Sequence, residues 1–175
     1  MSVAITAWEY LLEVNFNKLT FKHRDSRLMD MQTQIVVSVA NQLYEKVKGN
    51  EIPSKDLGIV LSTETGPVES ISEYNLVLKT KGYVGLNPSK FPNIMSATPL
   101  ARIAIEVKAK GPCLSLLTYK TNKHALMYAV EQIKAGRCRA MMVIFLYKEN
   151  NCLGCFIEDE ALCRERNITS MMIDL

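Results

Sequence analysis

The stretch that decides the fold runs from Asp56 to Ser72 and reads DLGIVLSTETGPVESIS. Its first part, Leu57 to Ser62, is a short continuous apolar run, which is typical of a strand buried on both faces of a sheet. Thr65-Gly66-Pro67 predicts a turn. The apolar spacing that follows over residues 68–80 predicts a helix. A buried strand followed at once by a helix indicates an α/β unit.

The same alternation of apolar runs and helical periods continues on both sides of this stretch. Further strands are predicted at residues 2–14, 113–118, 140–147 and 153–158, and further helices at residues 30–48, 123–135 and 159–166. The order β-α-β-α-β-α-β-β predicts an α/β fold with a mostly parallel five-stranded sheet and helices on both faces. A final strand is predicted at residues 169–173. The last hairpin, across Asn150-Asn151, should be antiparallel.

Length and composition exclude several classes of protein. With 175 residues, 48% of them hydrophobic and 22% charged, the chain is expected to form a single globular domain over residues 1–175. A net charge of +3 is too mild to indicate nucleic-acid binding. The longest strongly apolar run, residues 140–147, is too short to span a bilayer, and residues 1–13 have no basic segment typical of a signal peptide. We therefore expect a cytoplasmic protein that binds neither nucleic acid nor membrane.

The cysteine pattern does not predict a metal site or a disulfide framework. An odd number of thiols in a chain without a secretion signal argues against disulfides. Cys152 and Cys155 have the spacing of a zinc or redox motif, but no second pair accompanies them. The sequence also lacks a P-loop, a dinucleotide fingerprint and a zincin motif. We expect no metal, no cofactor, and five reduced thiols: Cys113, Cys138, Cys152, Cys155 and Cys163.

Several segments resemble the β-ketoacyl synthases in order and spacing. They are residues 56–72, Phe91-Pro92-Asn93, ARIAIE at residues 101–106, and Gly111-Pro112. Residues 133–143 and 152–175 resemble later segments of the same family. The resemblance covers nearly the whole chain, and it implies the N-terminal half of a thiolase-like fold.

The chain departs from the family where the nucleophile is expected. Family members place a catalytic Cys a few residues after Gly-Pro, at a sharp turn before a helix, where the helix N-terminus lowers the thiol pKa. Here residues 118–124 read TYKTNKH. Aligned from the left, Lys120 takes the position of the nucleophile; aligned from the right, with one residue deleted, Tyr119 does. Cys113, the nearest thiol, lies at the far end of the preceding strand.

The resemblance also implies that two catalytic histidines belong to the C-terminal half of the family fold. The only histidines here are His23, in a basic loop, and His124, which is expected to be a polar residue at the start of a helix. The long excursion that builds much of the family's acyl pocket is absent between Tyr147 and Cys152. The Claisen condensation of the family needs the nucleophile, the histidine pair and the pocket.

Two functions are therefore compared. The first is a non-catalytic β-ketoacyl-synthase-like protein that binds a partner synthase, an acyl carrier protein or an acyl ligand in fatty-acid or polyketide-type biosynthesis. The second is an enzyme of altered acyl-transfer chemistry that uses Lys120 or Tyr119. A separately encoded C-terminal half would still leave the nucleophile missing. The residues expected to contact a ligand or carrier are Lys120, Lys123, His124 and Arg102.

The helix at residues 123–135 predicts assembly. Its residues 125–130 are apolar in unbroken succession and so point in every direction around the helix axis. The resemblance implies that the strand at residues 113–118 pairs with its own copy across a two-fold axis. We expect a homodimer, or a heteromer with a synthase subunit, unless residues 82–99 fold over the helix. The expected surface comprises Leu116, Leu126, Met127 and Tyr128.

Overall fold

Strand β2, Leu57–Thr63, lies inside the sheet, and all seven of its residues are buried, as the apolar run predicts. The computed structural model describes residues 2–11, 26–48, 51–118, 123–167 and 171–172. Its other strands are β1 Val3–Leu11, β3 Cys113–Leu117, β4 Ala140–Leu146, β5 Cys152–Asp159 and β6 Met171–Met172. Its helices are α1 Met31–Lys46, α2 Val68–Lys81, α3 Thr98–Glu106, α4 Lys123–Lys134 and α5 Glu160–Glu165.

The sheet is mixed, with the strand order β3-β2-β4-β5-β1-β6. β2 is parallel to both β3 and β4, whereas β5 is antiparallel to β4 and β1, and β6 is antiparallel to β1. Strands β3, β2, β4 and β1 therefore run in one direction. The α/β class and the antiparallel hairpin at Asn150-Asn151 are confirmed. The final predicted strand contributes two residues, which pair with Ala4 and Ile5 of β1.

Two hydrophobic cores lie on opposite faces of the sheet. Because side chains alternate along a strand, Ile59 of β2 points into the core formed with α1 and α3, where Ile103 is fully buried. Val60 points the other way, into the core formed with α4, where Ile133 is fully buried. The prediction of helices on both faces is thus confirmed.

The helix ends follow local sequence signals. Asp30 caps α1 by accepting the Thr33 N–H at 2.8 Å. Helix α4 is followed by Gly136, whose φ of +70° suits glycine. Helix α2 confirms the helix predicted at residues 68–80, but none of its residues is buried. No helix among the described residues is long and apolar enough to cross a membrane.

One helix was not predicted. Residues 101–107 received no assignment from the sequence, and they lie largely in α3. Leu100, Ile103 and Val107 follow helical spacing and are buried against the α1 side of the sheet. The preceding segment, predicted as a loop, contains two short 3₁₀ helices, Tyr83–Gly85 and Pro88–Ile94.

A buried ion pair joins β1, β5 and the end of α5. Glu158 and Arg166 form this pair, and their side chains are 0% and 6% exposed. The Thr6 hydroxyl donates to the Glu158 carboxylate at 2.7 Å. Since an unpaired buried charge is costly, the pair fixes the position of the chain after α5 relative to the sheet.

The close approach of the chain to the start of β2 explains the glycine in Gly111-Pro112. The Gly111 N–H donates to the Leu57 carbonyl at 2.9 Å. A Cβ on Gly111 would lie 2.6 Å from that same carbonyl oxygen, a backbone atom that cannot move aside. Glycine therefore lets the chain entering β3 lie directly against the start of β2.

We expect Gly111→Ala to destabilise the fold by about 1–3 kcal/mol, because the added methyl group must separate β3 from β2. Urea denaturation followed by circular dichroism measures this change. Ala135→Ser, at an exposed position after α4, is the matched control. A Gly111→Ala variant as stable as the parent would contradict the close approach.

Candidate functional site

Polar groups join the carboxyl ends of β2 and β3. The Thr118 N–H donates to the Thr63 carbonyl at 2.9 Å, and the hydroxyls of Ser62 and Thr118 lie 2.5 Å apart. The Thr63 hydroxyl accepts the Gly66 N–H at 3.1 Å. In open α/β sheets, ligands bind at the carboxyl ends of parallel strands. The segment where the nucleophile is expected begins at this edge.

A second set of hydrogen bonds joins β2 to β4 at the same edge. The Glu64 N–H donates to the Leu146 carbonyl at 3.3 Å. The Glu64 carboxylate accepts the Lys148 N–H at 3.2 Å. The polar groups described at the strand ends are thus engaged in holding the three strands in register.

The cavity next to these strand ends is very small. It has a volume of about 10 Å³, and its walls include Leu61, Thr63, Gly66, Pro99 and Leu146. A cavity of that size holds about one water molecule. Over the described residues, it offers no room for an acyl chain.

The predicted ligand contacts do not converge in the described part of the chain. Tyr119 and Lys120 lie outside the described residues. Lys123 and His124 are the first two residues of α4, and both are exposed. Arg102 is half-buried on α3, which packs on the opposite face of the sheet from α4.

Cys113 is the first residue of β3, at the opposite end of that strand from Thr118. The residue is exposed, yet partial burial of its side chain raises the pKa of the thiol, opposed by a hydrogen bond with the Ile59 backbone. A nucleophilic cysteine needs the reverse shift, because the thiolate is the reactive form. Cys113 therefore has neither the position nor the electrostatics of a nucleophile.

The other four cysteines are buried. Burial raises the pKa of Cys138 and of Cys163 to about 11 and that of Cys155 to about 12. Burial also raises the pKa of Cys152. Nearby carboxylates add to the shift, Asp56 at Cys138 and Glu158 at Cys163. Within the described ranges, no group of three or more His, Cys, Asp or Glu side chains could hold a metal ion.

Helix α4 is amphipathic rather than apolar on all sides. Its inward residues Ala125, Ala129 and Ile133 are fully buried, whereas Met127 is 40% exposed. The neighbouring outward positions carry Lys123, Glu131 and Lys134, which are exposed. Of the predicted assembly surface, Leu116, Leu126 and Tyr128 pack partly buried against the core beneath α4. The loop before α3 packs against α2 and α3, not across Met127.

Three exposed apolar side chains that the sequence analysis did not name lie on β3, on α3 and on the turn before α3. Leu117 is 70%, Ile105 71% and Met95 48% exposed. The Ser115 hydroxyl donates to the Ser96 carbonyl at 3.1 Å, which joins β3 to the turn that carries Met95. We call Leu117, Ile105 and Met95 the edge surface. One signal in the sequence was Ile105, an apolar residue that does not follow the spacing of the buried residues Leu100, Ile103 and Val107.

Comparison with known proteins identifies the family. Residues 4–144 match the family model for the beta-ketoacyl synthase, N-terminal domain. The chain therefore belongs to this family, whose fold is thiolase-like. A comparison with curated proteins finds no match.

Solved structures share the fold at low sequence identity. One is a type II polyketide synthase acyl-carrier protein in complex with its ketosynthase bound to the hexaketide (AntDE:AntF), with a TM-score of 0.80 and 13% identity over 97% of this chain and 65% of that one. A second is the ishigamide ketosynthase/chain length factor, with a TM-score of 0.76 and 15% identity over 92% and 63%. A third is a ketosynthase (ApeO) in complex with its chain length factor (ApeC) from Xenorhabdus doucetiae, with a TM-score of 0.66 and 13% identity over 90% and 79%. The chain thus spans less than two thirds of the first two matched chains.

The raised thiol pKa values predict slow alkylation at neutral pH. In native protein, iodoacetamide should modify Cys113 first. The pH at which its rate is half-maximal should lie above the ordinary cysteine pKa of about 8.5, because the protonated thiol persists to higher pH. Peptide mass mapping over a pH series measures the rate at each thiol. An unstructured cysteine peptide is the control, and any protein thiol that reacts at lower pH than this peptide would contradict the prediction.

Proposed function

We propose that this protein is a non-catalytic β-ketoacyl-synthase-like subunit that pairs with a ketosynthase in a polyketide- or fatty-acid-type pathway, with residues 1–175 acting as one domain. One observation carries the proposal: none of the five cysteines combines the position of the family nucleophile with a lowered thiol pKa. Condensation by this family begins with a thiolate attacking an acyl thioester. Without that thiolate, binding is the function that the remaining features support.

The edge surface supports pairing with another chain. An edge strand presents unpaired backbone groups that can bond to a strand of a partner, and β3 is the last strand on its side of the described sheet. Burying a side chain such as Leu117 contributes about 1.5–3 kcal/mol. Exposed apolar side chains on β3, on the turn bonded to it and on the helix packed against it therefore favour a strand-to-strand interface.

The chemistry favours a ketosynthase as the partner over a second copy. Two copies of this chain would both lack a cysteine at residues 118–122, whereas a ketosynthase would supply the nucleophile. Two of the matched structures contain a ketosynthase and a chain length factor. In such a pair, Lys120, Lys123 and His124 are our candidates for contact with an acidic acyl carrier protein. Each exposed contact is worth about 0–1 kcal/mol.

The alternative function is acyl transfer with Lys120 or Tyr119 in place of the cysteine. A helix N-terminus disfavours an ammonium group, so a lysine there can become a neutral amine more readily. The residues TYKTN at positions 118–122 make this alternative testable by substitution.

We expect no acyl adduct when the protein is incubated with an acyl thioester and examined by intact mass spectrometry, because no activated thiolate is present. Lys120→Ala should give the same result and unchanged thermal stability. A stoichiometric adduct with turnover on the parent would refute a non-catalytic role. Loss of that adduct in Lys120→Ala would establish the alternative.

A pair of substitutions tests whether the partner binds the edge surface or the outward side of α4. Co-expressed with a ketosynthase from the same organism, the parent should co-purify in a stable complex. Leu117→Glu should abolish this complex, because it places a charge in an apolar interface, and sedimentation should then show a species of 19.7 kDa. Met127→Glu, on the outward side of α4, is the matched control and should leave the complex intact. If Met127→Glu dissociates the complex and Leu117→Glu does not, the interface lies on α4.

A further inference from the structure

A second cavity lies away from the strand ends, between α2, the loop before α3 and the 3₁₀ turn Ser26–Leu28. Its volume is about 290 Å³. Known small-molecule sites range from about 300 to 1,000 Å³. This cavity is thus near the size of the smallest ligand sites, and it is far larger than the cavity at the strand ends.

Three charged side chains around this cavity have no partner among the residues that the structure describes. Arg27, Lys90 and Glu73 all line it. Over the described residues, none of the three takes part in an ion pair or a side-chain hydrogen bond. Asp30, a fourth charged lining residue, is already engaged, since its carboxylate accepts the Thr33 N–H and the Ser70 hydroxyl. The groups left to bind a ligand are therefore two cations and one carboxylate.

One wall of the same cavity is apolar. Met29, Val77 and Leu86 line this wall with hydrocarbon groups. Met29 is buried, and Val77 and Leu86 are half-buried. A ligand that filled this space would gain free energy from the apolar contact as well as from the charges.

The balance of charge selects the class of ligand. Two positive and two negative side chains line the cavity, so a phosphate would meet Glu73 and Asp30 as well as the cations. A neutral apolar molecule would leave the charges without partners and partly desolvated. A zwitterion with an apolar body satisfies both signs and the apolar wall.

We propose that this cavity binds a small α-amino carboxylate with an apolar side chain. Arg27 and Lys90 hold the carboxylate, since a guanidinium can donate two parallel hydrogen bonds to it. Glu73 accepts from the ammonium group. The side chain of the ligand packs against Met29, Val77 and Leu86. This site is independent of the edge surface and of the proposed function.

The first test uses L-leucine as the probe, titrated into the purified full-length protein and followed by amide NMR shifts. Saturable binding at millimolar concentration is expected. N-acetyl-L-leucine lacks the ammonium and isopentylamine lacks the carboxylate, so each should bind at least about tenfold more weakly. Phosphate should not compete. If neither L-leucine, L-methionine nor L-phenylalanine saturates, or if phosphate binds as well as L-leucine, the proposal is wrong.

Substitutions locate the site. Arg27→Gln should weaken both L-leucine and N-acetyl-L-leucine, whereas Glu73→Gln should weaken L-leucine alone, because only L-leucine has the ammonium group. Lys134→Gln and Glu131→Gln on α4 are matched controls and should leave binding unchanged. Arg27 and Glu73 are exposed, and the NMR spectrum itself reports whether each variant is folded. Binding of L-leucine that survives both Arg27→Gln and Glu73→Gln would place it elsewhere.

Discussion

Strand β2 has no side that faces solvent, and the rest of the structure depends on this constraint. Both of its edges are paired in parallel, with β3 and with β4, and both of its faces are covered by a hydrophobic core. Two glycines permit this crowding: a Cβ on Gly58 would lie 2.7 Å from the Pro112 carbonyl oxygen, and one on Gly111 would lie 2.6 Å from that of Leu57. Because β3 is held so closely, β2 sets the position of the outer edge of β3.

The sequence predicted the elements well where a local pattern determines them. The run at residues 57–62 was predicted to be a buried strand and is one. The helices predicted at residues 30–48 and 123–135 also form, and Asp30 and Gly136 mark their ends through neighbours in the chain. Helix α3 was missed because it is only nine residues long, so its apolar spacing spans little more than two turns. The strand order was not predictable in the same way. The placement of β1 beyond β5 depends on pairings between residues about 150 positions apart, which no local period encodes.

Some features of the candidate site are likewise visible in the sequence, whereas others depend on the folded chain. That no cysteine stands in residues 118–122 is visible in the sequence alone, but the raised thiol pKa values depend on burial in the folded chain. The choice of assembly surface depended on the fold too. Six consecutive residues of α4 are apolar, and Ala125 and Ala129 are small enough to let the helix lie close to the sheet. Of these six residues, only Met127 is exposed. Leu116 and Leu117 are equivalent in the sequence, and only the sheet shows that Leu116 packs inward while Leu117 is exposed.

The hydrogen bonds at the strand ends hold the framework of the fold together where β2 and β3 end. The Thr118 N–H and hydroxyl bond to Thr63 and Ser62, and these bonds fix both the start of the turn and the end of β3. The same contacts hold the exposed Leu117 and the outer edge of β3 in place. They use backbone groups and the hydroxyls of Ser62 and Thr118, so they do not depend on which residues stand at positions 119–122. The exposed edge of β3 thus follows from the framework itself.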